Sequence, residues 1–146
     1  MRPLDEVRRE LVHRWLARAD ADLAVAKRLF PAVGEHAWAV AFHCQQAAEK
    51  FLKAYLAWWQ IEFPKTHDLQ QLLNLAQKQD ARFAESLGAA ATLTPYGVEA
   101  RYPGDGPEVT VEEAQNALKV AGLVRDEVHS ALQPHRKTAG NQRVAE

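Results

Sequence analysis

The residues whose types and spacing could do chemistry fall into three groups. Arg101 stands between Tyr96 and Tyr102 in residues 94–110, a stretch with no period that holds Pro95, Gly97, Pro103, Gly104, Gly106 and Pro107. An arginine flanked by aromatic rings offers a planar donor fork and stacking faces, the chemistry that holds a phosphate and a base. The structural alternative is that Arg101 fixes its own loop to a carboxylate such as Asp22 or Glu49. His67 and Asp68 form the second group, within Lys65-Thr66-His67-Asp68-Leu69. Thr66 is a suitable N-cap, with Asp68 in the first turn complementing the dipole. His67 would then sit at the positive end of a helix, where a neutral imidazole is favoured for hydrogen bonding or general-base work, or simply beside a cap. The third group occupies one helix: Gln45, Glu49 and Lys53 recur at four-residue steps, with Gln46 and Lys50 on the neighbouring flank. Gln45 falls among apolar positions, and burying an unpartnered amide costs about 1–3 kcal/mol, so it needs hydrogen bonds from another element.

The elements that must position these groups follow from hydrophobic periodicity. Over residues 4–30, Leu4, Val7, Leu11, Trp15, Ala19, Leu23, Ala26 and Phe30 trace a helical stripe beside which Asp22 lies, either solvated or paired with Gln45, Lys50 or Lys53. Residues 31–34, with Pro31 and Gly34, break the pattern and imply a tight connection between antiparallel helices. Trp38, Phe42, Gln45, Ala48, Leu52, Tyr55 or Leu56, and Trp59 define a second helix over about residues 35–60. A third carries Leu69, Leu72, Leu73 and Ala76, and a fourth spans residues 81–93. Loops longer than about 12–15 residues in compact domains are usually functional or disordered, which singles out residues 94–110. Thr110 and Glu113 make a capping box for the last helix, whose stripe of Val111, Ala114, Ala117 or Leu118, Ala121, Leu123 or Val124, Val128 and Leu132 ends at Pro134. The expected organisation is therefore all-α: an up-and-down antiparallel bundle of four to five helices over residues 1–133, with one long irregular loop before the last helix. A flexible polar tail would follow over residues 134–146.

Composition narrows the function classes. The 146 residues carry a formal net charge of -1, which gives no global footprint for nucleic acid, although a local basic patch is still compatible. The single cysteine, Cys44, excludes an intramolecular disulfide and a cysteine-rich zinc site, and reads as a small core residue rather than a nucleophile. No cluster has metal-ligand spacing and no glycine-rich phosphate loop is present, so neither metal nor cofactor is expected. No stretch approaches the roughly 20 apolar residues that span a bilayer, and Arg and Glu occupy the N-terminus where a signal peptide would be apolar; the chain reads as cytoplasmic.

Four motifs in order then resemble the HEPN domain, the higher eukaryote and prokaryote nucleotide-binding family. They are Asp22-Leu23; Phe42 with Gln45-Gln46-Ala47-Ala48-Glu49-Lys50 and Lys53-Ala54; Thr66-His67-Asp68-Leu69; and Arg101-Tyr102-Pro103 ahead of Glu112-Glu113-Ala114. The resemblance covers about residues 12–132. It implies a cytoplasmic helical bundle, commonly a homodimer, often encoded beside a minimal nucleotidyltransferase in a two-component toxin–antitoxin arrangement. Some members are metal-independent ribonucleases with an Arg, four to six residues, then a His in the late helix. There the His takes the 2′-hydroxyl proton and the Arg stabilises phosphate charge. This chain departs from that pattern: Arg125 and His129 have three intervening residues, which still share a helical face, and Arg8 and His13 match the spacing only in the first helix.

Three expectations result. One is a dimeric module that binds nucleotide or RNA with His67, Asp68, Arg101 and Tyr102, rimmed by Lys50 and Lys53, and acts with a nucleotidyltransferase, while Asp22, Gln45 and Glu49 are structural. Another is an endoribonuclease using Arg125 and His129. The third is a protein-interaction bundle, for which Trp58 and Trp59, adjacent on a helix and unable to face one core, mark a contact surface.

Overall fold

The computed structural model describes residues 3–97 and 108–145, with side chains described as far as residue 133. Among them are five α-helices: α1 (Leu4–Leu29), α2 (Val33–Trp58), α3 (Leu69–Gln79), α4 (Ala81–Ser86) and α5 (Val111–Ala145). Two 3₁₀ segments, Phe30–Ala32 and Gly88–Gly97, complete the order. The chain folds as an up-and-down antiparallel bundle in which α2 is central, packed on α1 and α5 and covered at its C-terminal half by α3 and the Gly88–Gly97 segment.

α2 takes this place because it is apolar or small through most of its circumference. Ala41, Cys44, Ala47, Ala48, Phe51, Leu52, Ala54 and Leu56 are all fully buried, and a helix hydrophobic nearly all round belongs inside. On α1 the inward set is Val12, Leu16, Ala19, Leu23 and Ala26, whereas Leu4, Val7 and Leu11 of the expected stripe are exposed. Successive steps of four drift off a 3.6-residue period, while steps alternating between four and three stay on one side. On α5 the buried stripe is Ala114, Ala117, Val120, Ala121, Val124, Val128 and Leu132; Val111 and Leu123 are exposed.

The helix boundaries differ from the sequence expectation in two places. The fourth helix is shorter: α4 stops at Ser86, and Gly88 opens 3₁₀ turns that run through Pro95 to Gly97, so the first part of the expected loop is helical. Residues 98–107, with Arg101 and Tyr102, lie outside the described residues. The last helix continues through Pro134 to Ala145 in place of an aperiodic tail; a proline removes one backbone donor and can be carried within a helix at a cost. Trp58 and Trp59 are both half-buried, and the Arg8 guanidinium lies 4.9 Å above the Trp58 ring. No helix among the described residues is long and apolar enough to cross a membrane.

Candidate functional site

Gln45 needs partners from another element, and the segment leading into α3 supplies one. Its Nε2 donates to the backbone carbonyl of His67 at 3.1 Å and to Glu49 Oε1 at 3.3 Å. Both are acceptors, which fixes the amide with its nitrogen toward them and its oxygen away. That oxygen accepts from Gln46 Nε2 at 2.7 Å. Glu49 is held from both sides: Lys53 Nζ donates to Oε2 at 3.0 Å, and His67 Nδ1 lies 2.8 Å from Oε1. A buried carboxylate needs this much support, because water cannot solvate it.

Lys53 does not reach a rim. Its side chain is 8% exposed, paired with Glu49, and its ammonium stands 5.6 Å and 5.8 Å from the rings of Trp15 and Phe63. Trp15 and Phe63 themselves meet edge to face at 6.2 Å, so the cation sits against two rings and a carboxylate. Lys50 is also absent from this group. One residue beyond Glu49 on a helix is a rotation of about 100°, which turns Lys50 to the α1 side. There its Nζ donates to Asp22 Oδ2, while His43 Nδ1 lies 3.0 Å from Asp22 Oδ1. Asp22 thus pairs with Lys50, one of the three expected partners. His43 is not singled out by the sequence reading; the available signal is its position two turns before Lys50 on the same flank.

The start of α3 differs in its cap. Asp68, rather than Thr66, is the N-cap residue, its Oδ1 accepting from Gln70 N at 3.0 Å. Thr66 caps the turn before it, with Oγ1 accepting from Asp68 N at 3.1 Å. Thr and Asp are both good N-cap residues, and the sequence alone does not order them. His67 therefore precedes the helix, and its environment is set by Glu49 more than by the dipole. Leu69 N donates to Thr94 Oγ1 at 3.1 Å, which ties α3 to the 3₁₀ segment.

That segment ends against the site. A Cβ placed on Gly97 would lie 2.9 Å from Gln45 Cδ and 3.0 Å from its Nε2 and Oε1, so the backbone there rests directly on the amide. Any larger residue here would have to displace the Gln45 amide from its partners. Next to it, Tyr96 OH donates to Glu113 Oε2 at 2.6 Å, and Thr110 Oγ1 accepts from Glu113 N at 3.0 Å, so Glu113 joins the cap of α5 to the end of the 3₁₀ segment.

Arg125 and His129, both half-buried on α5, turn to different carboxylates. Arg125 Nε donates to Asp126 Oδ1 at 3.0 Å, while His129 Nε2 lies 3.7 Å from Asp20 Oδ1 and its ring meets Phe51 edge-on at 5.8 Å. Cys44 is fully buried, and burial pushes its thiol up to about 12, which removes it as a nucleophile near neutrality.

A central helix carrying a Gln–Glu–Lys network, pinned by a histidine ahead of a capped third helix, defines a class of helical-bundle domain. The HEPN domain profile matches residues 12–131, and this chain belongs to that family. It is similar to TT1696 from Thermus thermophilus, a protein of known crystal structure, with 30% identity and a TM-score of 0.61 over 82% of this chain and 96% of that one. No curated protein matches the chain. Family membership supports a nucleotide- or RNA-related module, and HEPN domains commonly dimerise.

Proposed function

We propose that this protein is a dimeric module that binds nucleotide or RNA beside His67 and acts with a minimal nucleotidyltransferase in a toxin–antitoxin pair. The observation that supports it is the Gln45–Glu49–His67 network lying against Gly97. His67 is fixed there by the buried Gln45 and Glu49, Asp68 is held by its cap contacts with Thr66 and Gln70, and Arg101 and Tyr102 follow Gly97 by only four and five residues in the chain. A preorganised polar edge, followed within a few residues of sequence by an arginine–tyrosine pair, suits a phosphorylated, aromatic ligand. The test is titration of single-stranded RNA and of free nucleotides against the wild type and Arg101→Ala. Weaker binding with stability unchanged within about 1 kcal/mol supports the reading. Unaltered affinity with marked destabilisation makes Arg101 a structural clamp instead. Dimerisation and the partner are tested by light scattering alone and after co-expression with a nucleotidyltransferase.

A second reading, a metal-independent endoribonuclease, is favoured by one observation: Arg125 and His129 stand one turn apart on α5 with both side chains partly accessible. Cleavage of mixed-sequence RNA in excess EDTA, lost in both Arg125→Ala and His129→Ala, would establish it. Cleavage that survives in His129→Ala removes that site.

A further inference from the structure

An ionised carboxylate accepts hydrogen bonds and donates none. With Glu49 Oε1 2.8 Å from Nδ1, the proton of the His67 ring must be on Nδ1. Lys53 already balances the Glu49 charge through Oε2, so the pair is complete with a neutral ring. In that ring Nε2 keeps its lone pair, and the side chain is 72% exposed while the carboxylate behind it is 4% exposed. Nε2 makes no hydrogen bond to any described residue. Buried groups thus set the tautomer, and the exposed edge presents an acceptor.

The first amides of α3 and Lys53, which could instead hold a phosphate, are committed elsewhere. At the start of α3 the amides of Asp68, Leu69 and Gln70 donate to Thr66 Oγ1, Thr94 Oγ1 and Asp68 Oδ1. Lys53 is buried against Glu49, Trp15 and Phe63. What this edge offers a ligand is a place for a donor.

We infer that His67 is the residue that selects ribose: its Nε2 accepts a hydrogen bond from the 2′-hydroxyl of a ribonucleotide or of single-stranded RNA, with Glu49 as the positioning residue that fixes the tautomer. The inference rests on the nucleotide-binding reading above. A 2′-hydroxyl is the group that distinguishes RNA from DNA at a given position. The N–H groups of the bases are the other donors a nucleotide could bring, and the two sources separate experimentally.

The experiment compares binding of the full chain to single-stranded oligo(rU), oligo(dU), 2′-O-methyl oligo(U) and oligo(dC) by fluorescence anisotropy. Uridine and deoxyuridine differ at the 2′ position alone. One hydrogen bond to a hydroxyl predicts about tenfold tighter binding of oligo(rU) than of oligo(dU). The 2′-O-methyl strand, which has lost the donor, should bind like the deoxy strand. His67→Ala should reduce the rU/dU ratio to near one, with oligo(rU) losing about tenfold more affinity than oligo(dU). Glu49→Gln can place an amide N–H against Nδ1 and move the ring proton to Nε2, so it should abolish the preference with His67 still present; thermal melts check that this variant is folded. Equal binding of rU and dU by the wild type overturns the inference and leaves the nucleotide reading standing. A His67-dependent preference for oligo(dC) over oligo(dU) moves the donor to the base and also overturns it. Failure to bind any strand or free uridine nucleotide overturns both.

Discussion

At the α1–α2 seam Asp22 is 15% exposed and His43 28%, whereas on the other flank of α2 Glu49 is 4% exposed and His67 72%. Each acid also holds a lysine from α2, Lys50 in the first case and Lys53 in the second. The chemistry is the same and the arrangement of burial is opposite. Around Asp22 both partners keep some contact with water, so the solvent shares the work of stabilising charge and the pair behaves as a clasp between two helices. Around Glu49 water is excluded, and the protein itself must supply every donor. The consequence is rigidity: three side chains are fixed by one carboxylate, and the only member left in the open is the imidazole. A half-solvated pair ties helices together; a buried acid with an exposed ring presents that ring in one orientation.

Removing the acids should show the contrast most strongly. Glu49→Ala leaves the Lys53 charge buried without its partner and should cost about 3–5 kcal/mol in urea denaturation. Adding Lys53→Met should return much of that loss, since an apolar pair of similar volume is often tolerated; a double variant as unstable as Glu49→Ala would mean that Lys53 was not the injured party. Gly97→Ala comes next. The new methyl must displace the Gln45 amide, so a loss of about 1–3 kcal/mol is expected, with the Asp22 seam unaffected. An unchanged denaturation midpoint would show that Gln45 moves aside freely.

Cys44 tests burial with no charged partner at all. Its thiol is raised from an ordinary 9.0 to about 12 by burial. The folded thiol stays protonated where the unfolded one ionises, so its contribution to stability is whole below the unfolded value and is lost as pH rises from there toward the folded one. By about pH 10 the loss should reach roughly 1.4 kcal/mol. Tyr55, raised to about 12 by burial and then by Asp80, acts in the same direction. Cys44→Ala should flatten part of this alkaline decline, measured by urea midpoints between about pH 8 and pH 10; an identical slope would assign the decline to other groups. The smallest effect belongs to Asp22→Ala, about 1 kcal/mol or less, because water can solvate both Lys50 and His43 once the acid is gone.

The long helices and the polar network on α2 are legible in the sequence because both are periodic. Gln45 among apolar positions signals a missing partner, and the step from Glu49 to Lys53 is a local pair that needs no tertiary knowledge. The partner itself is not legible: the His67 carbonyl is a backbone group, and no side-chain pattern announces it. Nor can spacing show that Lys53 is enclosed. Trp15 and Phe63 come from elements far apart in the chain, and only the antiparallel turn after α1 and the crossing of residues 59–68 bring them to one ammonium. The 3₁₀ turns from Gly88 escape for another reason: Ala89, Ala90, Ala91 and Leu93 continue the composition of an α-helix, and no side-chain pattern marks the change to tighter winding. For the same reason Gly97 looks like a loop glycine, while its role is to lie against an amide from another element.

The enclosure of Lys53 bears on how the protein would respond to ionic strength. An ammonium already satisfied by a carboxylate and two aromatic rings cannot neutralise a phosphate and so displaces no cation condensed on a nucleic acid; it adds nothing to the salt sensitivity of nucleic-acid binding. Buried pairs are also screened far less than surface ones, which leaves the Glu49–Lys53 contact intact in concentrated salt. Whatever salt dependence a bound strand displays must therefore arise from cations at the surface, and the orientation of His67 should be the same in dilute buffer as in molar chloride.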